Sequence, residues 1–367
     1  MKIIRSTGSS LRCVPFAWTD RNRFGNSSGE PLVSPLVGER AGTVSVDESF
    51  QAQVEPLRRE ITAHCYRMLG SVHEAEDLVQ ETYLRAWRAF HGFEQRSSVR
   101  TWLYRIATNA CLTALEQGQR RPLPTGLGAP TSDPGGTLEE RPELPWLEPL
   151  PDSLVWSEPD ADPAEQVVTR DSVRLAFVAA LQLLTPRQRA VFILRDVLAW
   201  QASEVADALG MSVAAANSAL QRARARLARH ADDERPELSA DDDRARHMLE
   251  RYVAAFEEYD VDRIVALLTE DAVWEMPPFT AWFRGASTIG RLIAEQCPVT
   301  GPGQMRLLST AANGQPAFGV YHLDEDGVFR PFQLHQLTLT PAGVSHTVCY
   351  FDVSLFPVFG LPERLSS

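Results

Sequence analysis

Residues 185–230 constrain the fold most, because three helix signals follow one another there with only short turns between them. Thr185-Pro186-Arg187-Gln188 supplies a capping Thr, a Pro suited to the first helical turn and a Gln where a capping box needs it. A helix is expected to begin there, with Val191, Phe192, Leu194 and Leu198 as its apolar stripe. A second short helix follows from about Ser203, turning Val205, Ala206 and Leu209 inward, and Gly210 ends it. Ser212 can cap a third, in which Val213, Ala216, Leu220, Ala223 and Leu227 recur at steps of three and four and form one seam. The opposite face carries Ser218, Arg222 and Arg229, with Gln221 beside them. A helix, a tight glycine turn and a second helix with a basic outer face form the helix-turn-helix pattern, whose second helix enters the DNA major groove. Four Arg between Arg222 and Arg229, with no acid among them, favour that over a helical hairpin with a solvated face.

At 367 residues and 44% hydrophobic composition the chain can hold two or three domains with sizeable cores. Its net charge of −12 argues against a nucleic-acid partner only until the segregation of acids and bases is noticed, since the local balance at a contact surface decides. Cys13, Cys65, Cys111, Cys297 and Cys349 have no paired spacing, which fits neither a disulfide framework nor a zinc site and suggests reduced thiols in cores. No apolar run approaches membrane-spanning length and no compact signal region opens the chain, so a soluble cytoplasmic protein is expected, with no membrane partner, metal or cofactor.

Residues 1–46 are rich in Ser, Gly, Pro and Arg without periodicity and read as a disordered leader or as sequence upstream of the natural start. From Phe50 the pattern changes. Phe50, Val54, Leu57, Ile61, Cys65 and Met68 share a helical face that Gly70 ends, and Ser71 with Glu74 forms a capping box for a helix reaching about Phe90. Val79, Tyr83, Ala86, Trp87 and Phe90 are its expected core stripe; Asp77, Gln80, Glu81, Leu84, Arg85 and Arg88 fall elsewhere. Leu84 among these polar residues is either an ordinary exposed Leu or the apolar anchor of a protein-binding face. A third helix over 99–117 buries Val99, Trp102, Leu103, Ile106 and Ala110 and leaves Tyr104, Arg105, Thr108 and Asn109 outside, with Arg96 and Arg100 at its start. Aromatics interleaved with Arg and Asn suit single-stranded nucleic acid, although an aromatic at helical spacing, such as Trp102, is more often core.

Asp77-Leu78-Val79-Gln80-Glu81-Thr82-Tyr83-Leu84-Arg85-Ala86-Trp87, with Arg100-Thr101-Trp102-Leu103-Tyr104-Arg105-Ile106-Ala107-Thr108-Asn109-Ala110, closely resembles region 2 of extracytoplasmic-function (ECF) sigma factors. Leu184-Thr185-Pro186-Arg187-Gln188-Arg189 and the helix-turn-helix after it resemble region 4 of the same family. The resemblance implies a subunit that binds core RNA polymerase, through its β′ and β subunits, and directs promoter recognition and transcription initiation. It assigns polymerase docking to Asp77, Gln80, Glu81 and Leu84. It assigns capture of the melted −10 element to Arg100, Trp102, Tyr104, Arg105 and Asn109, with Asn109 nearest the base-reading position. The −35 element falls to Asn217, Ser218, Gln221, Arg222 and Arg224; Arg can pair bidentately with guanine.

Residues 118–161, dense in Pro, Gly and acids, read as a flexible tether. Pro145-Trp146-Leu147-Glu148-Pro149-Leu150-Pro151-Asp152 within it is too apolar for a spacer and resembles a linker motif of sigma factors with an extra C-terminal domain, so Trp146 and Leu147 are expected to dock as a regulatory linker. Asp162-Pro163-Ala164-Glu165 caps the entry to region 4, taken as 162–231 after region 2 at 47–117. The acidic stretch 232–244, including Asp232, Asp233, Glu234, Glu237, Asp241, Asp242 and Asp243, reads as a solvated linker in preference to a DNA mimic that masks the Arg face.

Residues 245–367 then show two helices, a strand over 271–276, a helix after Gly285 and several strand-like runs. With Asp271-Ala272-Val273-Trp274-Glu275-Met276-Pro277-Pro278 they resemble the SnoaL-like branch of the NTF2-like α+β cone. The expected fold is thus multidomain: two all-α sigma domains, a region 2 helical bundle and a region 4 helix-turn-helix, plus a C-terminal α+β NTF2-like cone. That cone is expected to regulate, with a small-molecule ligand possible. Asp271, Glu275, His322, His335, His346 and Asp352 could act as acids or bases, but no spacing among them dictates chemistry, so an enzyme is not expected. The competing classes are a one-component ligand-sensing regulator and a fused small-molecule enzyme.

Overall fold

Pro56 interrupts what the apolar spacing makes one long helix. Helix α1 covers Val46–Val54, a 3-10 turn covers Glu55–Leu57, and α2 covers Arg58–Leu69; proline lacks the N–H and its ring crowds the preceding turn. The computed structural model describes residues 46–93, 97–116, 118, 120–129, 131–156, 172–229, 236–239 and 242–366. The leader, Arg96, the Asp162–Glu165 cap and Asp232, Asp233, Glu234 and Asp241 lie outside the described residues. Helices α3, Val72–Ala89, and α4, Val99–Leu115, pack with α2 around Ile61, Cys65, Val79, Leu103 and Ala107.

The second helical unit comprises α5, Leu175–Leu181, α6, Pro186–Phe192, α7, Ala202–Leu209, and α8, Val213–Ala228, with a π turn at Ile193–Val197. Thr185 and Gln188 form the expected capping box, and Ser212 caps α8 through Ala215 N–H. Gly210 takes φ 61° at the turn, where a left-handed residue satisfies the end of α7. Val191, Leu194, Val205, Ala216 and Leu220 close the core. Val213 does not belong to it: as the first residue of α8 it is 44% exposed, ahead of the packed seam.

The C-terminal domain runs α9, Asp243–Glu257; α10, Val261–Leu267; β1, Leu268–Glu275; β2, Trp282–Arg284; α11, Ala286–Gln296; β3, Met305–Ala312; β4, Gln315–Leu323; β5, Phe329–Thr340; β6, Gly343–Tyr350; and α12, Leu355–Val358. The sheet order is β2-β1-β6-β5-β4-β3, with β1 and β6 parallel and the other pairs antiparallel. This is the expected α+β architecture. Strand β4 is buried at every position from Gln315 to Tyr321, whereas a strand of a sheet with one wet face alternates. Both faces are therefore covered. Trp274, Phe318 and His335 face Tyr252 and Phe256 of α9. Ala317, Tyr321, Leu334, Val348 and Tyr350 join the cluster that holds Tyr66 and Leu147.

The linker between the helical units is no free tether, as its composition suggested. Leu147 N–H donates to Pro122 O at 3.0 Å and Glu148 N–H to Gly70 O at 3.0 Å, while Ser132 N–H donates to Trp282 O at 2.8 Å and Arg141 N–H to Pro278 O at 2.9 Å. Its backbone polar groups find partners by docking, so the segment is a strap between α2 and the sheet. The described part of the acidic linker also departs from a solvated spacer: Leu238 N–H donates to Leu339 O at 2.9 Å, and Glu237 pairs with Arg174.

Gly70 meets the strap at φ 73°, and a Cβ there would lie 2.8 Å from Leu147 Cδ1 and 3.0 Å from Gln182 Nε2. Gly70→Ala is expected to lose about 1–2 kcal/mol from the left-handed backbone alone, plus the cost of displacing Leu147. Urea denaturation checks it; an unchanged midpoint would mean that the strap does not pack on this turn.

Candidate nucleic-acid interface

On α3, Asp77, Gln80 and Leu84 are exposed, Leu84 by 50%, and Glu81 is half-buried with an ion pair to Arg85 at 2.7 Å. Trp87, expected in the core, is instead 51% exposed one turn further along this face. The core position is filled otherwise: Phe90 packs edge-on to Phe50 at 5.1 Å, and Tyr83 Oη donates to Val54 O at 2.8 Å.

The α4 candidates divide. Arg105 and Asn109 are exposed, with Asn109 Nδ2 donating to Arg105 O at 2.8 Å, and with Arg85 and Trp102 they line one open groove. Trp102 is half-buried and stacks on Phe93 at 4.7 Å. Arg100 is exposed and bonds Glu60 at 2.7 Å. Tyr104 and Thr108, expected outside the seam, are buried. Both α2 and the second helical unit lie against that face of α4: the Tyr104 ring is edge-on to His64 of α2 at 5.1 Å and to Trp200 of the second unit at 6.1 Å, and Tyr104 Oη donates to Glu60 of α2 at 3.2 Å. Thr108 Oγ1 lies 2.9 Å from His64 Nε2, and desolvation, helped by Arg67, pushes His64 down to about 3.

Two buried guanidiniums fasten the helical units. Arg67 Nη2 donates to Ser172 Oγ at 2.8 Å; Arg189 Nε donates to Leu181 O at 3.0 Å and its Nη1 to Met68 O, an end carbonyl of α2. Burial lowers both guanidiniums to about 10, so both stay charged.

On α8, Asn217, Ser218, Gln221 and Arg222 are exposed. Arg224 is exposed too, but its guanidinium is held by both oxygens of Asp196, at 2.8 and 2.7 Å.

In the strap, Leu147 is fully buried and Trp146 half-buried, its Nε1 donating to Arg141 O at 2.9 Å. Glu148, which the sequence did not single out, caps α3: its Oε2 accepts from Ser71 Oγ at 2.8 Å, Val72 N at 2.9 Å and His73 N at 3.3 Å, and meets His73 Nδ1 at 3.0 Å. Ser71 accepts from Glu74 N–H as expected, but the Glu74 carboxylate goes to Arg121 at 2.5 Å. Burial pushes the Glu148 carboxyl up; bonds from His73 and Ser71 outweigh it and hold it below its ordinary value. The same contact raises His73.

Of the C-terminal acids and bases, Glu275 and His346 come together, Oε1 to Nε2 at 2.8 Å, and the other Glu275 oxygen accepts Thr125 N–H of the strap at 2.8 Å. His335 is fully buried under aromatic rings with Nδ1 2.9 Å from Tyr252 Oη, and desolvation pushes it down to about 3. Asp271 meets Thr269 and Asp352 meets Ser354, each two residues away. Among the described residues no three His, Cys, Asp or Glu gather as a metal site, and no helix is long and apolar enough to cross a membrane.

Sigma-70 region 2 matches residues 53–121, sigma-70 region 4 matches 174–227, and the SnoaL-like domain matches 249–346. The chain is 58% identical over 334 residues to the ECF RNA polymerase sigma factor SigG of Mycobacterium tuberculosis, covering 90% of this chain and 89% of that protein. To SigJ of the same organism it is 31% identical over 265 residues, 69% of this chain and 74% of that one. The crystal structure of SigJ superposes with a TM-score of 0.54 and 25% identity, covering 85% of this chain and 99% of SigJ. A region 2 bundle, a region 4 helix-turn-helix and a SnoaL-like domain, in that order, place this chain in the family of ECF RNA polymerase sigma factors.

Proposed function

We propose that α3 docks on core RNA polymerase through Asp77, Gln80, Glu81 and Leu84, that Arg100, Trp102, Arg105 and Asn109 take the melted −10 strand, and that Ser218 and Arg222, flanked by Asn217 and Gln221, read the −35 element. Tyr104 joins the −10 set only once Trp200 has moved off it. The observation that carries the docking assignment is the apolar ground on α3: of five large hydrophobic side chains exposed among the described residues, Leu84 and Trp87 share this face, ringed by charge. Arg224, committed to Asp196, orients region 4 and contributes at most a phosphate contact.

The C-terminal domain acts as a brake. Promoter elements named −35 and −10 lie about 25 base pairs apart, about 85 Å at about 3.4 Å per pair, whereas here Arg189 of region 4 bonds Met68 of region 2. The closed form cannot span the promoter, and opening precedes initiation. Regulation is the role this reading gives the domain: the Glu275 carboxylate ties the strap at Thr125 N–H to His346 of the sheet, and His335 is packed under rings. A small ligand would act by biasing closed against open. The chain works where core polymerase is, in the cytoplasm.

Asp77→Ala with Leu84→Ala is expected to abolish retention on core enzyme in a pull-down with the thermal transition unchanged; undiminished retention refutes the docking assignment. Arg222→Ala is expected to cost roughly 1–3 kcal/mol of discrimination at one −35 base, read by competition binding, and equal loss on every sequence would make it a phosphate contact instead. Docking of the strap also carries a pH signature. His73 is raised above 6.5 by Glu148, so its contribution is full below 6.5 and lost as pH rises through the raised value; Glu148 is lowered from 4.5, so its contribution is full above 4.5 and lost below its lowered value. Amide exchange at Leu147 and Glu148 should be slowest between those limits, after correction for intrinsic exchange, and His73→Gln should flatten the alkaline limb.

A further inference from the structure

The side chain that joins region 2, the strap and the entry to region 4 sits at a hairpin tip. Asn313 and Gly314 join β3 to β4 with φ 57° and 73°, the two left-handed positions of a type I′ turn. In an isolated hairpin such an Asn faces water; Asn313 is fully buried. Its Oδ1 accepts from Leu150 N at 2.9 Å and Gln336 Nε2 at 3.4 Å, and its Nδ2 donates to Tyr66 Oη at 2.9 Å and Val173 O at 2.6 Å. Its backbone N–H donates to Leu150 O at 2.9 Å, and Gly314 N–H to Asp152 Oδ1 at 2.9 Å. One amide thereby uses its whole hydrogen-bonding capacity on region 2, the strap, the entry to region 4 and its own sheet.

The neighbours extend these bonds to the other fastenings. Tyr66 Oη, which accepts from Asn313, donates to Glu148 O at 2.7 Å, and the carboxylate of that residue caps the polymerase-docking helix. Val173 follows Ser172, the acceptor of Arg67.

We infer that Asn313 is the pin of the closed form: a positioning residue whose amide couples the C-terminal sheet to regions 2 and 4 at once, so that losing it frees both from the hairpin. Without the amide, Leu150 N–H loses its acceptor and Val173 O and Tyr66 Oη each lose a donor away from water, Tyr66 Oη keeping only its bond to Glu148 O, a penalty borne by the closed form alone, because in an opened chain water serves all three. The substitution therefore acts on the equilibrium between closed and open and leaves each domain intact. This rests on the reading of the C-terminal domain as a brake.

The test uses the full chain. Asn313→Gly keeps the turn, because glycine adopts positive φ without cost, and removes only the amide. Asn313→Asp keeps an acceptor and sets a carboxylate against Val173 O. Small-angle scattering should show a larger radius of gyration for both variants, with at least a tenfold higher open-to-closed ratio by fluorescence transfer between dyes on regions 2 and 4, and circular dichroism unchanged. Run-off transcription with core polymerase should rise several-fold. Folded variants with the wild-type radius and transfer efficiency overturn the pin. A larger radius with unchanged transcription upholds the pin and overturns the brake. Should Asn313→Gly not fold, Tyr66→Phe decides: it keeps the ring and removes the hydroxyl between Asn313 and Glu148, and an unchanged radius there overturns the pin.

Discussion

The C-terminal sheet has two apolar faces, and its own helices cover one of them fully and the other only in part, where Phe356 of α12 packs edge-on to Tyr321 at 5.2 Å. Tyr252 and Phe256 of α9 cover the side that carries Trp274, Phe318 and His335. Tyr321, Leu334, Val348 and Tyr350 point the other way, by the period-two alternation of a strand, and need a second cover. Where α12 and Leu361 stop, region 2 and the strap complete it through Tyr66, Leu147 and Leu150. At about 25 cal/mol per Å2 of apolar surface, a face of this kind is costly to leave in water, which is why the sigma regions and the C-terminal domain share one core.

A purely apolar seam would hold the parts together permanently. Here the seam is interrupted by groups that water can serve as well as the protein does: the Arg67 and Arg189 guanidiniums on Ser172 and Met68, the Glu148 carboxylate on α3, and the Asn313 amide. Each is bonded here and would be hydrated in the proposed open form, so each adds direction to the contact while adding less net energy than its vacuum strength suggests. Interfaces between domains that move have this mixed character, and it keeps the closed and open forms within reach of one another.

Local signals were legible where the chemistry is local. The Thr185–Gln188 box, Gly210 and the Ser212 cap could be read because a helix end is decided by residues within one turn of it. Misreadings occur where a residue distant in sequence decides. Tyr104 and Thr108 follow helical spacing as well as Trp102 does, and it is His64 of α2, with Trp200 beyond it against Tyr104, that makes theirs a buried face. Trp87 is left outside because Phe50, on a different helix, fills the place against Phe90. The Pro- and Gly-rich strap lacks periodicity because its partners are a turn and a sheet edge, not its own neighbours in sequence. Asn313-Gly314 is a strong hairpin signal, and that strength hides the side chain's second use.

Closure leaves the individual contact faces largely free, and this decides how restraint works. Asp77, Gln80 and Leu84 remain exposed on α3, and Ser218 and Arg222 on α8, so the faces proposed for polymerase and for the major groove stay open in the closed chain. What it withholds is the distance between them, together with the Tyr104 side of α4. On the proposed reading, such a device restrains initiation without abolishing the first encounter with polymerase. Binding energy gained on core enzyme and on both promoter elements is then available to open the seam, because all three contacts are made together only in the extended form.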